Sequence, residues 1–248
     1  MQHLNFAQSS YHHLPIIGYH HSPMMDKFGI PRQPNLVALK SHIEFVTPFD
    51  NPDAFLGIEQ YSHLWVLWQF HQNKSQPTFH PKVRPPRLGG NEKMGVFATR
   101  SMYRPSNIGL SVVQLDKLEI NHHKAVLHII GADMVDKTPI LDIKPYIAFA
   151  DNIANANSGY MQIPSIKIVT FHPKFNQKIQ DLILNHQITY DDVNIIEQLV
   201  AQDPRPAYRQ HEVDNYYFMR YKNLDIGFFM NQHHEMVMDD IKMIDLSK

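Results

Sequence analysis

The chain has 248 residues, 43% of them hydrophobic and 19% charged, which suffices for one domain of ordinary size and a smaller one. It has no cysteine, which excludes disulfides and thiolate chemistry, and no apolar run near the roughly 18 residues that a membrane helix requires. The net charge of −1 conceals a segregation. Between Lys82 and Asn107 six basic residues (Lys82, Arg84, Arg87, Lys93, Arg100, Arg104) stand against one acid, Glu92, so the remainder is acidic on balance. A local positive field of that kind draws phosphate whatever the total charge.

Residues 1–13 read as a polar leader without the basic and apolar segments of a secretory signal, so a cytoplasmic location is expected. Leu14–Tyr19 is a first strand, followed by a long loop punctuated by Pro23, Gly29, Pro31 and Pro34 that carries Arg32 on a stiffened backbone. His42–Val46 is a second strand. Tyr61–Phe70 holds both tryptophans and reads as a central buried strand, with Trp65 and Trp68 in the core and His71-Gln72 at its end.

The basic stretch comes next. Pro85-Pro86 and the pairs Arg84-Pro85 and Arg104-Pro105 restrict the backbone, and Gly89-Gly90 frees it. Met94–Ala98 reads as a short buried strand between arginine-bearing turns, an arrangement suited to bidentate recognition of phosphate or carboxylate. Ile108–Leu118 and Lys124–Gly131 continue as a meander. Asp133, Asp136, Asp142, Lys144 and Asp151 then fall at turns or strand ends, where aspartates serve as general bases or as turn and cap residues. Six or seven strands with many Gly/Pro turns predict a mainly β fold, with a closed or nearly closed antiparallel β-barrel over 14–153.

Ala154–Ser165 is small and polar and reads as a linker. Beyond it, 166–248 predicts a small α+β domain. Helices are expected over Lys174–Leu184 and Asp191–Gln202, the second capped by Asp191, and strands over Tyr216–Tyr221, Asp225–Met230 and Glu235–Ile244. Pro204 and Pro206 stop the second helix and present Arg205, Tyr208 and Arg209.

Seventeen histidines invite a metal hypothesis, but eight of them form four adjacent pairs such as His20-His21 and His122-His123, whose side chains diverge in a strand, and the rest show no zinc-ligand spacing, so no metal is expected. No GxGxxG, Walker A or GxSxG string is present. The residues alone therefore describe a barrel with rigid arginine loops that binds an anionic, nucleotide-like ligand.

The strings FGIPRQPNLV, YSHLWVLWQFH, VRPPRLGGNEKMGVFATRS, YRPSNIGLSVV, DMVDKTPILDIKPY and AQDPRPAYR resemble the TrmO family of S-adenosylmethionine-dependent tRNA adenine-N6 methyltransferases. They span residues 28 to 209. Where that family usually has Asn-Pro-Ile-Gly, this chain has Ser106-Asn107-Ile108-Gly109. The resemblance implies a non-Rossmann barrel, a C-terminal α+β domain, a homodimer, and methylation of N6 of threonylcarbamoyladenosine beside the anticodon of threonine-type tRNAs. It implies cofactor contacts at Pro31, Arg32, Gln33, His71, Gln72, Arg100, Leu110, Asp133, Met134, Val135 and Asp136. Asp142 or Asp133 is then the candidate proton acceptor. Arg84, Arg87, Arg104, Asn107, Lys144, Arg205 and Tyr208 are candidate tRNA contacts. Two rival readings carry other signatures: a nonenzymatic RNA-binding barrel, with salt-sensitive binding and no cofactor, and a metal-dependent phosphoester hydrolase built on the aspartates.

Overall fold

A computed structural model describes residues 12–74, 76, 78–85 and 92–245; the leader before residue 12 and the Pro86–Asn91 stretch, with Arg87 and Gly89-Gly90, lie outside the described residues. Six strands close a barrel: β1 (Gly18–His21), β2 (Lys40–Phe45), β3 (His63–Gln69), and, after the two-residue ribbon of β4 (Lys82–Val83) and β5 (Met94–Gly95), β6 (Ile108–Asn121), β7 (Lys124–Ile130) and β8 (Thr138–Pro145). Their order around the barrel is β1-β2-β7-β6-β3-β8, every pair antiparallel.

The two-residue period of a strand puts every second side chain inside the barrel. In β3, Leu64, Val66 and Trp68 are buried while the residues between them are half-exposed. A central strand buried on both faces, with Trp65 in the core, is therefore not what forms. A barrel has one interior, and Trp65 lies on the outer wall, its Nε1 donating to Asp151 Oδ2 at 2.9 Å. The β6–β7 hairpin turns on His122 and His123, both in the left-handed region at φ 48 and 65, as a two-residue turn between twisted strands demands. Met94–Ala98 is not a strand throughout. After β5 the chain enters a 3-10 turn in which Val96 is buried and Phe97 exposed.

The C-terminal unit follows a four-residue helix α1 (Ala148–Asp151). It comprises β9 (Val169–Phe171), α2 (Pro173–Leu184), α3 (Tyr190–Ala201), β10 (Tyr217–Tyr221), β11 (Leu224–Met230) and β12 (Met236–Met243). Its sheet runs β10-β11-β12-β9, with β9 parallel to β12. The cap of α3 is Thr189 rather than Asp191. The Thr189 Oγ1 accepts from the Asp192 amide and the Asp192 carboxylate accepts from the Thr189 amide, a reciprocal capping box. Asp191 instead pairs with Lys40 of β2 at 2.9 Å.

Two apolar cores result. The barrel interior is one. The other joins α2, α3 and the C-terminal sheet, and it also takes Met24, Val37 and Leu39 from the long loop between β1 and β2. That loop therefore docks the C-terminal unit and, through its remaining residues, faces the barrel end.

After α3 the chain folds around a buried ion pair. Arg205 is fully buried, its guanidinium binding both carboxylate oxygens of Asp203 at 2.7 and 2.9 Å and the carbonyls of Glu212 and Gln210 at 2.7 and 2.9 Å. Four of its five N–H donors are engaged and none of the side chain reaches the surface, so Arg205 is a structural residue and not a substrate contact. Arg205→Ala is expected to strand the Asp203 carboxylate without a partner and to cost about 3–5 kcal/mol, read as a lower denaturant midpoint with an unchanged slope.

Candidate active site

Trp68 and Ser111 occupy inward positions of the paired strands β3 and β6, diagonal to one another, Trp68 standing opposite Gly109 and Ser111 opposite Val66. Trp68 lies flat against Gly109, where any Cβ would fall about 2.2 Å from the indole ring. That close approach lets Trp68 Nε1 donate to Ser111 Oγ at 3.0 Å, and Ser111 in turn donates to Asp133 Oδ1 at 2.5 Å. The barrel wall thus aims one carboxylate into a recess of ≈ 110 Å³. This recess is lined by the end of β3 and the His71–Asn73 turn, by Asp133–Val135, by Lys27 and Ile30 of the first loop, and by Met102 of the basic stretch.

Burial pushes the Asp133 carboxyl up to about 6, against the opposing pull of the Ser111 hydroxyl, a backbone amide and the Arg100 charge. Holding it ionised at neutral pH costs folding free energy of about 3 kcal/mol. That cost is absent below about pH 4, where the carboxyl is protonated in both states, grows as pH rises from there to about 6, and is constant above it. A carboxylate so placed is poised to accept a proton near neutrality. Burial holds the imidazole of His71, in the same recess, below its ordinary range and therefore neutral.

The turn that carries Asp133 is braced from inside the barrel. Fully buried His20 faces the Val135 carbonyl through Nδ1 at 3.2 Å, and Thr138 donates to the same oxygen at 2.8 Å. Burial lowers His20 to about 4, so at neutral pH its Nδ1 carries the hydrogen that the carbonyl accepts. Asp136, at the far end of the turn, looks the other way. Its carboxylate accepts from the Ser22 amide at 3.0 Å and lines a separate groove with His21 and Lys222.

Met102 is shared with a second and larger recess of ≈ 620 Å³. Arg84, Arg100, Tyr103, Arg32, Gln33, Tyr160, Met161 and the Pro204–Ala207 segment surround it, and no carboxylate lines it among the described residues. Arg32 reaches across to the C-terminal unit, its Nη2 donating to the carbonyls of Asp203 and Arg205 at 3.0 and 2.7 Å. Gln33 Oε1 accepts from Arg100 Nη1 at 2.5 Å, so loop, barrel and C-terminal unit share one hydrogen-bonded wall.

The expected cofactor residues therefore divide. His71, Gln72, Asp133, Met134 and Val135 line the smaller recess, and Arg32, Gln33 and Arg100 the larger. Pro31 is buried between Leu36, Leu199 and Pro204, where it fixes the loop. Leu110 and Asp142 line neither recess. Both flank Leu67 on the outer barrel wall and are exposed, so Asp142 is not a proton acceptor for the Asp133 recess. Asp136 likewise lies outside it.

Among the expected tRNA contacts, Arg84 is exposed at the larger recess and has no hydrogen-bond or ion-pair partner among the described residues. Arg104 is engaged in bracing its own turn, donating to the Thr99 carbonyl at 2.6 Å and standing over Phe97. Asn107, at φ 50, closes the same turn and caps the end of β3 through its carbonyl. Lys144 is exposed on the outer wall opposite Trp65, and Tyr208 is exposed beneath Arg209. Sequence reasoning missed Ser111, although a serine between inward Gly109 and Val113 marks a polar point in an apolar register. It also missed Lys27, Met102, Tyr103, Tyr160 and Met161, whose proximity is purely tertiary.

The tRNA-methyltransferase O N-terminal domain model matches residues 19–152 and the TrmO C-terminal domain model residues 165–242. The chain is 41% identical over 198 residues to the tRNA (adenine(37)-N6)-methyltransferase of Escherichia coli, covering 79% of this chain and 83% of that one. It is 42% identical over 219 residues to a putative S-adenosylmethionine-dependent methyltransferase of Pseudomonas aeruginosa, covering 87% and 91%. A crystal structure of TrmO from Pseudomonas aeruginosa superposes with a TM-score of 0.75 at 33% identity, over 95% of this chain and 99% of that one. Closed antiparallel barrel, recessed carboxylate and C-terminal α+β unit together define a two-domain β-barrel methyltransferase rather than a Rossmann one. The chain belongs to the tRNA-methyltransferase O family.

Ser111→Ala removes the hydroxyl that favours the charged form of Asp133. Carbon-13 NMR titration of the carboxyl is expected to show a pKa above that of the unmodified protein; a fall would contradict the assigned hydrogen bond.

Proposed function

We propose that this chain transfers the methyl group of S-adenosylmethionine to N6 of threonylcarbamoyladenosine, beside the anticodon of threonine-type tRNAs, with Asp133 as proton acceptor. The activities of its relatives support the reaction class. The observation that carries the reading here is the pairing of a lone recessed carboxylate with an acid-free, arginine-bearing recess across Met102. At ≈ 110 Å³ the smaller recess falls short of the roughly 300–1,000 Å³ of a whole small-molecule site, and its lining suits the sulfonium end of the cofactor. Trp68, Phe70, Ile30 and Met102 are apolar surroundings for a sulfonium, and Asp133 is the one carboxylate beside it. Bound there, S-adenosylmethionine supplies an electrophilic methyl group.

The protein's own part is positioning, field and proton removal. His71, Gln72 and Asp133–Val135 hold the cofactor side of the site, with Arg100 and Gln33 at its junction with the larger recess. Arg84 and Arg100 offer guanidinium groups to the threonyl carboxylate, whose planar geometry suits them. N6 gains the methyl group and yields its hydrogen to the Asp133 carboxylate. The lining of Trp68, Phe70 and Met102 keeps bulk water from competing for that proton.

The assembly we propose is a homodimer in the cytoplasm, with Leu110 of the outer wall offered to the neighbouring copy. Its support is the uncovered apolar surface near the linker, where Phe149, Ile153 and Ile163 are 93%, 71% and 96% exposed.

Purified protein incubated with S-adenosylmethionine and tRNA, with or without the threonylcarbamoyl group, followed by nucleoside mass spectrometry, tests the reaction. Methylation of the modified tRNA alone is expected. The carboxylate form of Asp133 accumulates as pH rises through about 6, so the rate is expected to climb through that pH to a plateau. Asp133→Asn is expected to remove that limb and lower kcat by roughly 10²–10⁴-fold. A variant that keeps full rate would remove Asp133 from the mechanism.

A further inference from the structure

The segment between α1 and β9 is exposed along most of its length. It comes down onto the protein at a turn in which the Met161 amide donates to the Ser158 carbonyl at 3.1 Å. Gly159 takes φ 60, and Asn157 Oδ1 accepts from the Gly159 amide at 2.7 Å. The left-handed glycine reverses the chain so that Tyr160 and Met161 turn inward, and both are only partly exposed. Neither belongs to the barrel core or to the C-terminal core. They lie instead against the larger recess, with Tyr103, Met102, Arg84 and Arg100. A linker that served only as a tether has no need to bring a tyrosine and a methionine there.

We infer that Tyr160, beside Met161 and together with Tyr103 in the lining of the recess, forms the wall against which the target adenine stacks when it leaves the anticodon loop, and that the linker thereby selects the substrate base. The inference rests on the proposed methyl transfer and adds the residues that receive the base. A nucleotide acted on at N6 must leave its stack, and aromatic side chains replace the neighbours it loses. The chemistry of the recess fits that occupant: a planar apolar face from the tyrosines and methionines, and arginines without a lining carboxylate to meet an anionic substituent. The cofactor also carries an adenine, so the test separates the two sources.

Tyr160→Ala is compared with Tyr160→Phe and the unmodified protein in three measurements: calorimetric affinity for S-adenosylhomocysteine, equilibrium binding of threonylcarbamoylated tRNA, and steady-state methylation. The expected result for Tyr160→Ala is unchanged affinity for S-adenosylhomocysteine, weaker tRNA binding and a KM for tRNA raised roughly 5- to 100-fold with little change in kcat, with Tyr160→Phe restoring both. Weakened S-adenosylhomocysteine binding with an unchanged tRNA KM would assign Tyr160 to the cofactor and overturn the inference. Unchanged values throughout would also overturn it. Failure of the unmodified protein to methylate any threonylcarbamoylated tRNA would overturn the proposed function itself, and this inference with it.

Discussion

The bidentate pair between Asp203 and Arg205 fixes more of this molecule than its two residues suggest. A buried guanidinium and carboxylate are tolerated only with most of their remaining donors and acceptors satisfied, and here the carbonyls of Glu212 and Gln210 bring the engaged donors of Arg205 to four of five. The fold that satisfies Arg205 leaves the carbonyls of Asp203 and Arg205 turned outward, and Arg32 binds both. Next to it Gln33 holds Arg100, whose charge acts on Asp133. An ion pair in the C-terminal unit is thus linked by four steps to the carboxylate at the barrel end.

That linkage explains why the site sits at a junction. The barrel alone provides the Trp68–Ser111–Asp133 chain, and the small recess in front of it is completed by Lys27 and Ile30 of the first loop and by Met102. The arginine-bearing wall requires the first loop, which shares its core with α2, α3 and the C-terminal sheet. Opposed electrostatic demands are met by this division. Asp133 needs a low-dielectric setting to lift its pKa into a useful range, whereas the guanidinium groups need access to solvent and ligand. Met102, on the turn between them, separates the two environments without isolating them.

The barrel was largely legible in the sequence because short apolar, β-branched runs recur between Gly and Pro turns, and closure follows from enough such strands; in β3 and β7 the alternation is one of burial and not of residue type. Trp65 was not legible: aromatic content argues for burial, but one interior face admits only every second residue. β9 carries no alternating signal in its three residues and exists by parallel pairing with β12. Arg205, between two prolines, reads as an arginine displayed on a rigid loop, yet Asp203 lies within reach two residues earlier and draws it inside. The aspartates were legible as a group and not individually. Asp133, Asp136 and Asp142 occupy a recess, an opposite groove and the outer wall respectively, and only tertiary placement separates them. The linker gave no sign of Tyr160's position, because the recess it lines is otherwise built, apart from neighbouring Met161, by residues 44 or more positions away.

Hydrogen–deuterium exchange of the intact protein with and without saturating S-adenosylhomocysteine tests the central claim most directly. The account predicts new protection in four separated segments at once, residues 32–33, 71–73, 100–103 and 133–135, with the outer wall at 140–144 unchanged. Protection confined to the groove around His21, Asp136 and Lys222, or absent from 133–135, would contradict it.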